Sequence, residues 1–175
     1  NGINKLIERA LPESDRNEET VMQLRTFFVP YYDEHNCDLT QPYDGIPALL
    51  ETLKQQGHTL AVASNKYQEG TERLAEKLLG EFNFIKILGQ RDNQPIKPDP
   101  KIINETMDTL PGITLEETVY CGDSDVDMQT GRNAGIKTIG VTWGFRTREE
   151  LAAYNPWLLA RNPDEISTAV LSDSE

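Results

Sequence analysis

Four short apolar runs, each followed by a polar tip and then by a helical pattern, constrain this chain more than any other feature. They are LAVAS at 60–64, FIKIL at 84–88, TVYCG at 118–122 and KTIGVT at 137–142. Runs of this length with little alternation suit strands covered on both faces. Between them the apolar residues take helical spacing. Asp44 to Gln56 reads as a helix with Pro47 in its first turn, Leu49, Leu50 and Leu53 inward and Gly57 as its stop. Glu69 to Leu79 is the next, closed by Gly80, and Asp99-Pro100 opens another to about Thr109 as an N-cap followed by proline. Asp125 to Ala134 is a helix stopped by Gly135, Thr147 to Glu150 has capping-box spacing, and a last helix starts near Asp164 after WLLA at 157–160. This alternation predicts an α/β fold: a doubly wound, Rossmann-like parallel sheet with helices on both faces.

The first 40 residues differ. Ile3, Leu6, Ile7, Ala10 and Leu11 fall on one helical face, and Val21, Leu24, Phe28 and Tyr31 on another. Pro30 is expected to kink or end the second helix. No strand lies between them. The chain therefore divides into a helical segment at 1–40 and an α/β core at 41–175, joined through NCDLTQPYDGI at 36–46.

Charge narrows the partners. The chain has 175 residues, 17 Lys+Arg against 29 Asp+Glu, and a formal charge of −12. That field repels phosphate polymers and anionic bilayers, so neither nucleic acid nor membrane is an expected partner, whereas a small phosphate ester is compatible. No apolar run approaches the roughly 20 residues of a membrane span. Cys37 and Cys121 form no CxxC, which points to a reducing, cytoplasmic setting and away from zinc or a disulfide framework.

In open α/β sheets ligands bind beyond the carboxyl ends of the strands. The tips there are Ser64-Asn65-Lys66, the stretch GQRDNQPIKP containing Lys97, Asp123-Ser124-Asp125-Val126-Asp127, and Trp143-Gly144-Phe145-Arg146. Three carboxylates within five residues repel one another unless a cation neutralises them. Hard oxygen ligands of this kind suit Mg²⁺; helix capping is the competing explanation. Ser64 can donate its hydroxyl to a phosphate oxygen or serve as a plain N-cap. Lys97, before Pro98, is expected to be extended and to present a point charge to a phosphate or a carboxylate nucleophile. His35 and His58 read as surface residues, Asp44 as an N-cap and Cys121 as a buried core thiol. The chain has neither GxxxxGK[ST] nor GxGxxG, so P-loop and dinucleotide readings lack support.

The ordered set Ser64, Lys97-Pro98 and Gly122-Asp123-Ser124-Asp125-Val126-Asp127, with Asn133-Ala134-Gly135 after it, resembles the second to fourth motifs of the haloacid dehalogenase superfamily. NGINKLIERALP, PYDGIPALLETLKQQGHTLAVASNK and GVTWGFRTREEL resemble its phosphoglycolate phosphatase branch. The resemblance implies an Mg²⁺-dependent phosphomonoester hydrolase of small anionic phosphates working through a phosphoaspartyl intermediate. It implies that Ser64 and Lys97 are catalytic and bind phosphate together with Asn65, whose N–H adds a donor, and that Asp123 and Asp127 serve the metal. Residues 1–40 would be the remnant of a helical cap. A sugar-phosphate mutase of the same fold and a non-catalytic phosphorelay receiver-like domain are the alternatives. The family's DxDGT motif, which carries the nucleophile on the central first strand, has no match here. LAVAS and TVYCG are thus expected to flank an unfilled strand position, with about 40–60 N-terminal residues absent on βαβ spacing; the start at Asn1 rather than Met agrees. These 175 residues alone are expected to be inactive.

Overall fold

The computed structural model describes residues 2–173. Two helices, α1 (Gly2–Ala10) and α2 (Glu18–His35), pack on each other as a hairpin. Asn17 caps α2, its Oδ1 accepting the Thr20 N–H at 2.9 Å. The helix does not end at Pro30, one of the two outcomes expected there, but continues to His35. Its far end is held from outside: Lys66 donates to the Tyr32 hydroxyl, Tyr67 donates to Asp33, and Arg73 pairs with Asp33 at 3.1 Å. Tertiary anchoring of this kind outweighs the loss of one helical hydrogen bond. The hairpin leaves Leu6, Phe27 and Tyr31 exposed on its outer side.

The remainder alternates as expected: α3 (Ile46–Gln55), β1 (Ala61–Tyr67), α4 (Gln68–Leu79), β2 (Lys86–Gln90), α5 (Lys101–Met107), β3 (Val119–Gly122), α6 (Asp125–Ala134), β4 (Lys137–Val141), α7 (Arg148–Ala152), β5 (Leu158–Ala160) and α8 (Pro163–Asp173). Two local expectations shift. FIKIL starts pairing two residues late, because Asn83 sits at φ 52 and the chain is still turning through Phe84. Asp44 is not the cap of α3; Gly45 is, at φ 81, a conformation that favours glycine.

The strands are all parallel, but they form two sheets, β1-β2 and β3-β4-β5. Leu49 of α3 and Ile166 of α8 pack with Ile139 and Ala160. Ile102 and Ile103 of α5 pack with Leu88 and Ile136, joined by Ala63 and Tyr120. Helices thus supply separate cores, and the second core bridges β1 and β3 although no ladder joins them. Between those strands runs a cavity of about 660 Å³, walled by Ala61–Ala63 on one side and Thr118–Tyr120 on the other. This is the place where the sequence leads one to expect an unfilled strand position. It also corrects the reading of Cys121, which is exposed rather than part of the core, because β3 is an edge strand.

Among the described residues no helix is long and apolar enough to cross a membrane. Ile139 is fully buried, whereas Leu39 is 98% exposed. Ile139→Ala is expected to cost about 2–5 kcal/mol in urea unfolding and Leu39→Ala less than about 0.5 kcal/mol.

Candidate active site

The second half of β1 carries Ser64, Asn65 and Lys66 before its last residue, Tyr67. The Ser64 Oγ accepts the Lys66 N–H at 3.1 Å, which leaves the hydroxyl hydrogen available to an incoming acceptor. Asn65 acts through its side chain. Its Oδ1 accepts the Lys97 N–H at 2.9 Å and its Nδ2 donates to the Lys97 carbonyl at 3.0 Å. This two-point clamp fastens the Lys97 loop to the end of β1, although the two residues are 32 apart in sequence.

Lys97 then reaches into the molecule. Its Nζ donates to the Ala63 carbonyl at 3.1 Å, the Tyr120 hydroxyl at 2.8 Å and Asp127 Oδ1 at 2.7 Å. An ammonium has three donors, so all are engaged. One goes to β1, one to β3 and one to α6, and the charge sits between the two sheets.

Asp127 is fixed from both sides. Its Oδ1 accepts from Lys97 and, at 2.9 Å, from Tyr120; its Oδ2 accepts the Ser124 hydroxyl at 2.6 Å and the Ser124 N–H at 3.2 Å. Ser124 and Asp127 thereby complete a capping box at the start of α6. Gly122 permits this approach, since a Cβ there would fall 2.3 Å from that of Asp127. Burial works to raise the Asp127 pKa, but the charge of Lys97 and the bonds from Lys97, Ser124 and Tyr120 together hold the carboxyl below its ordinary value. Burial, reinforced by the Asp127 charge, drives the Tyr120 phenol well above its ordinary value, so it stays a donor.

Asp123 is placed by the loop after β4. Its Oδ2 accepts the Phe145 N–H at 3.1 Å, and its carbonyl accepts the Arg146 N–H at 3.2 Å. A Cβ on Gly144 would lie 2.3 Å from the Asp123 side chain, so glycine is what lets this loop close over it. Asp125 pairs with Arg146 at 2.9 Å. The three neighbouring carboxylates therefore each have a different partner, which relieves much of the repulsion that suggested a cation. Among the described residues no group of three His, Cys, Asp or Glu side chains converges as a metal cage. The donors suit a hard cation in kind: Asp123 is a half-buried carboxylate at a strand end, with a single bond on its side chain. They suit it in number only if ligands come from elsewhere, which accords with Mg²⁺ using one or two carboxylates plus water and substrate.

The structure thus brings Asn65, Lys97 and Asp127 into one bonded network, with Ser64 and Asp123 at its two ends. His35 is exposed and bonded to Asp38, and His58 precedes β1 at the end opposite Ser64, so neither faces this rim. Tyr120 and the Asn65 side chain were not legible as site residues. Gly144 was among the strand-end tips, but its part in letting the loop close over Asp123 was not legible.

The model for the haloacid dehalogenase-like hydrolase family matches residues 2–141. The chain belongs to the haloacid dehalogenase-like hydrolases. Within that family it is 33% identical over 144 residues to a phosphoglycolate phosphatase of Aquifex aeolicus, covering 82% of this chain and 65% of the relative. It is 31% identical over 154 residues to the pyrophosphatase PpaX of Halalkalibacterium halodurans, covering 87% and 69%. A candidate phosphoglycolate phosphatase from Lactobacillus delbrueckii subsp. bulgaricus superposes with a TM-score of 0.81 at 33% identity, over 91% of this chain and 66% of that one. The chain thus spans about two thirds of the length of these haloacid dehalogenase-like proteins.

The Lys97–Asp127 pair is about nine-tenths buried at both ends. Asp127→Asn strands the Lys97 charge and is expected to cost about 3–5 kcal/mol. Because the folded carboxyl titrates below its ordinary value of 3.8, the wild type has this contribution in full above that pH and loses it as the pH falls through the depressed value. Unfolding free energies measured from pH 7 down to pH 2 check both points: the variant should be less stable at pH 7 and should lose less on acidification.

Proposed function

We propose that this chain carries the supporting part of an Mg²⁺-dependent phosphomonoester hydrolase for small anionic phosphates, of the phosphoglycolate phosphatase kind. The observation that carries the reading is the bonded network Asn65–Lys97–Asp127, which ties the tips of β1, the Lys97 loop and β3 to one rim. Ser64 donates its hydroxyl to a phosphoryl oxygen. Lys97 holds a fixed positive charge beside the reacting anions, where low polarity strengthens its effect. Asp123 is the Mg²⁺ ligand. Asp127 serves that site by fixing Lys97 and the start of α6. The ion, when bound, offsets negative charge on the phosphoryl group and its attacker. The charge balance of the chain, −12 overall, makes this local supply of cations necessary for an anionic substrate.

The resemblance implies a nucleophilic carboxylate on the family's DxDGT motif, which has no match in these residues. We therefore place that carboxylate on an extended segment outside these 175 residues, lying in the cleft between β1 and β3. There it would pair with the free edges of both strands, and its tip would emerge between Ser64 and Asp123. Pairing at Ala63 would supply a backbone donor to the carbonyl now held by Lys97, releasing one ammonium hydrogen for a phosphoryl oxygen. The carboxylate oxygen attacks phosphorus as the bond to the leaving alcohol breaks. Water then attacks the same phosphorus, freeing inorganic phosphate and restoring the carboxylate.

In a polypeptide that includes that segment, Asp123→Asn is expected to raise the Mg²⁺ concentration for half-maximal turnover by about tenfold or more while the circular dichroism is retained. An unchanged Mg²⁺ titration removes Asp123 from the ligand role. A preparation whose intact mass matches these 175 residues should show no turnover in a phosphomonoester screen.

A further inference from the structure

Two lysines lie near the end of β1, and they are used differently. Lys97 has every ammonium hydrogen engaged. Lys66, two residues past Ser64, gives one to the Tyr32 hydroxyl, with its Nζ 4.2 Å from the centre of the Tyr32 ring. An ammonium has three donors, so two are left for a ligand. Among the described residues Lys66 has no carboxylate partner, and its side chain is half-buried rather than solvated. What sets Lys66 apart is its place, two residues past Ser64 and against the Tyr32 ring.

Its surroundings are aromatic with polar tips. Tyr32 stacks on Phe28 at 5.5 Å and meets Tyr67 edge-on at 6.5 Å. Asp33, the next residue of α2, is held by Tyr67 and by Arg73. Asp33 is therefore already neutralised and is not a partner for Lys66. The Lys66 backbone N–H bonds to the Ser64 Oγ at 3.1 Å, so the residue is rooted beside the candidate phosphate-binding serine, while its ammonium reaches Tyr32 of the helical hairpin. A cation against an aromatic wall attracts an anion more strongly than one in open water.

We infer that Lys66, held by Tyr32, is the specificity residue that binds a second anionic group on the substrate, next to the phosphoryl group being transferred. This rests on the phosphatase reading above and deepens it. The substrate class is a small phosphate with a carboxylate or a second phosphate a few bonds from the scissile one. The catalysed step is unchanged; Lys66 acts on binding and orientation, remote from the bond that breaks.

The test uses the active polypeptide, with the nucleophile-bearing segment, and three substrates: 2-phosphoglycolate, pyrophosphate and ethyl phosphate, which has a neutral tail. The readout is the ratio of kcat/KM for each doubly anionic substrate to that for ethyl phosphate. Lys66→Met should lower the ratio by roughly 10- to 100-fold, the size of one lost charge-assisted hydrogen bond, mainly through KM. Lys66→Arg should restore much of it. Loss in the 2-phosphoglycolate ratio alone identifies a carboxylate reader, and loss in the pyrophosphate ratio alone a phosphate reader. If the wild type hydrolyses all three and neither ratio moves in Lys66→Met, the inference is overturned and the phosphatase reading stands. If the wild type hydrolyses none, the phosphatase reading falls and the inference with it.

Discussion

The ammonium of Lys97 is the point on which the rest of the site depends. It bonds to a backbone carbonyl of one sheet, a phenol of the other and the carboxylate that opens α6. No strand ladder joins the two sheets at this place, so the lysine substitutes for one. Few side chains could do so. A shorter cation would not reach from its loop, and a neutral donor would leave Asp127 as a buried, unpaired charge. The same three bonds fix where positive charge sits relative to Ser64 and Asp123, so the fold's weakest junction and its site electrostatics have a common origin.

Much of this architecture was legible beforehand. Apolar runs bounded by capping signals located β1 to β4 to within a few residues, because a strand buried on two faces leaves little choice of residue; WLLA was given no strand assignment, and its last three residues form β5. Asp125 and Asp127 illustrate the limit. Three acidic residues at alternate positions look alike in sequence, yet one completes a capping box, one meets an arginine and one accepts a backbone N–H from the loop after β4. Their partners, Lys97, Arg146 and Phe145, come from loops remote in sequence, and no periodicity links them. Asn65 is similar: its type and position were visible, but a side-chain clamp on a loop 32 residues away is a tertiary fact. Pro30 shows the reverse failure. The local rule against proline in a helix was sound, and bonds made by Tyr32 and Asp33 to the core overrode it.

The helical hairpin meets the core through polar contacts of Tyr32 and Asp33 with Lys66, Tyr67 and Arg73, and α1 also packs against β1. Those core residues follow directly on Ser64. Any shift of the hairpin is therefore transmitted to the phosphate-binding end of β1 with little intervening structure. A substrate whose second anion engages Lys66 would bear on both parts at once, linking recognition to the placement of the hairpin.

The cleft between β1 and β3 also bears on cooperativity. An extended segment lying in it would meet Ala61–Ala63 on one side and Thr118–Tyr120 on the other. Its hydrogen bonds would then join two sheets that otherwise share only the Lys97 bridge and a patch of side-chain packing. The order of the two halves of the core would be gained or lost as one.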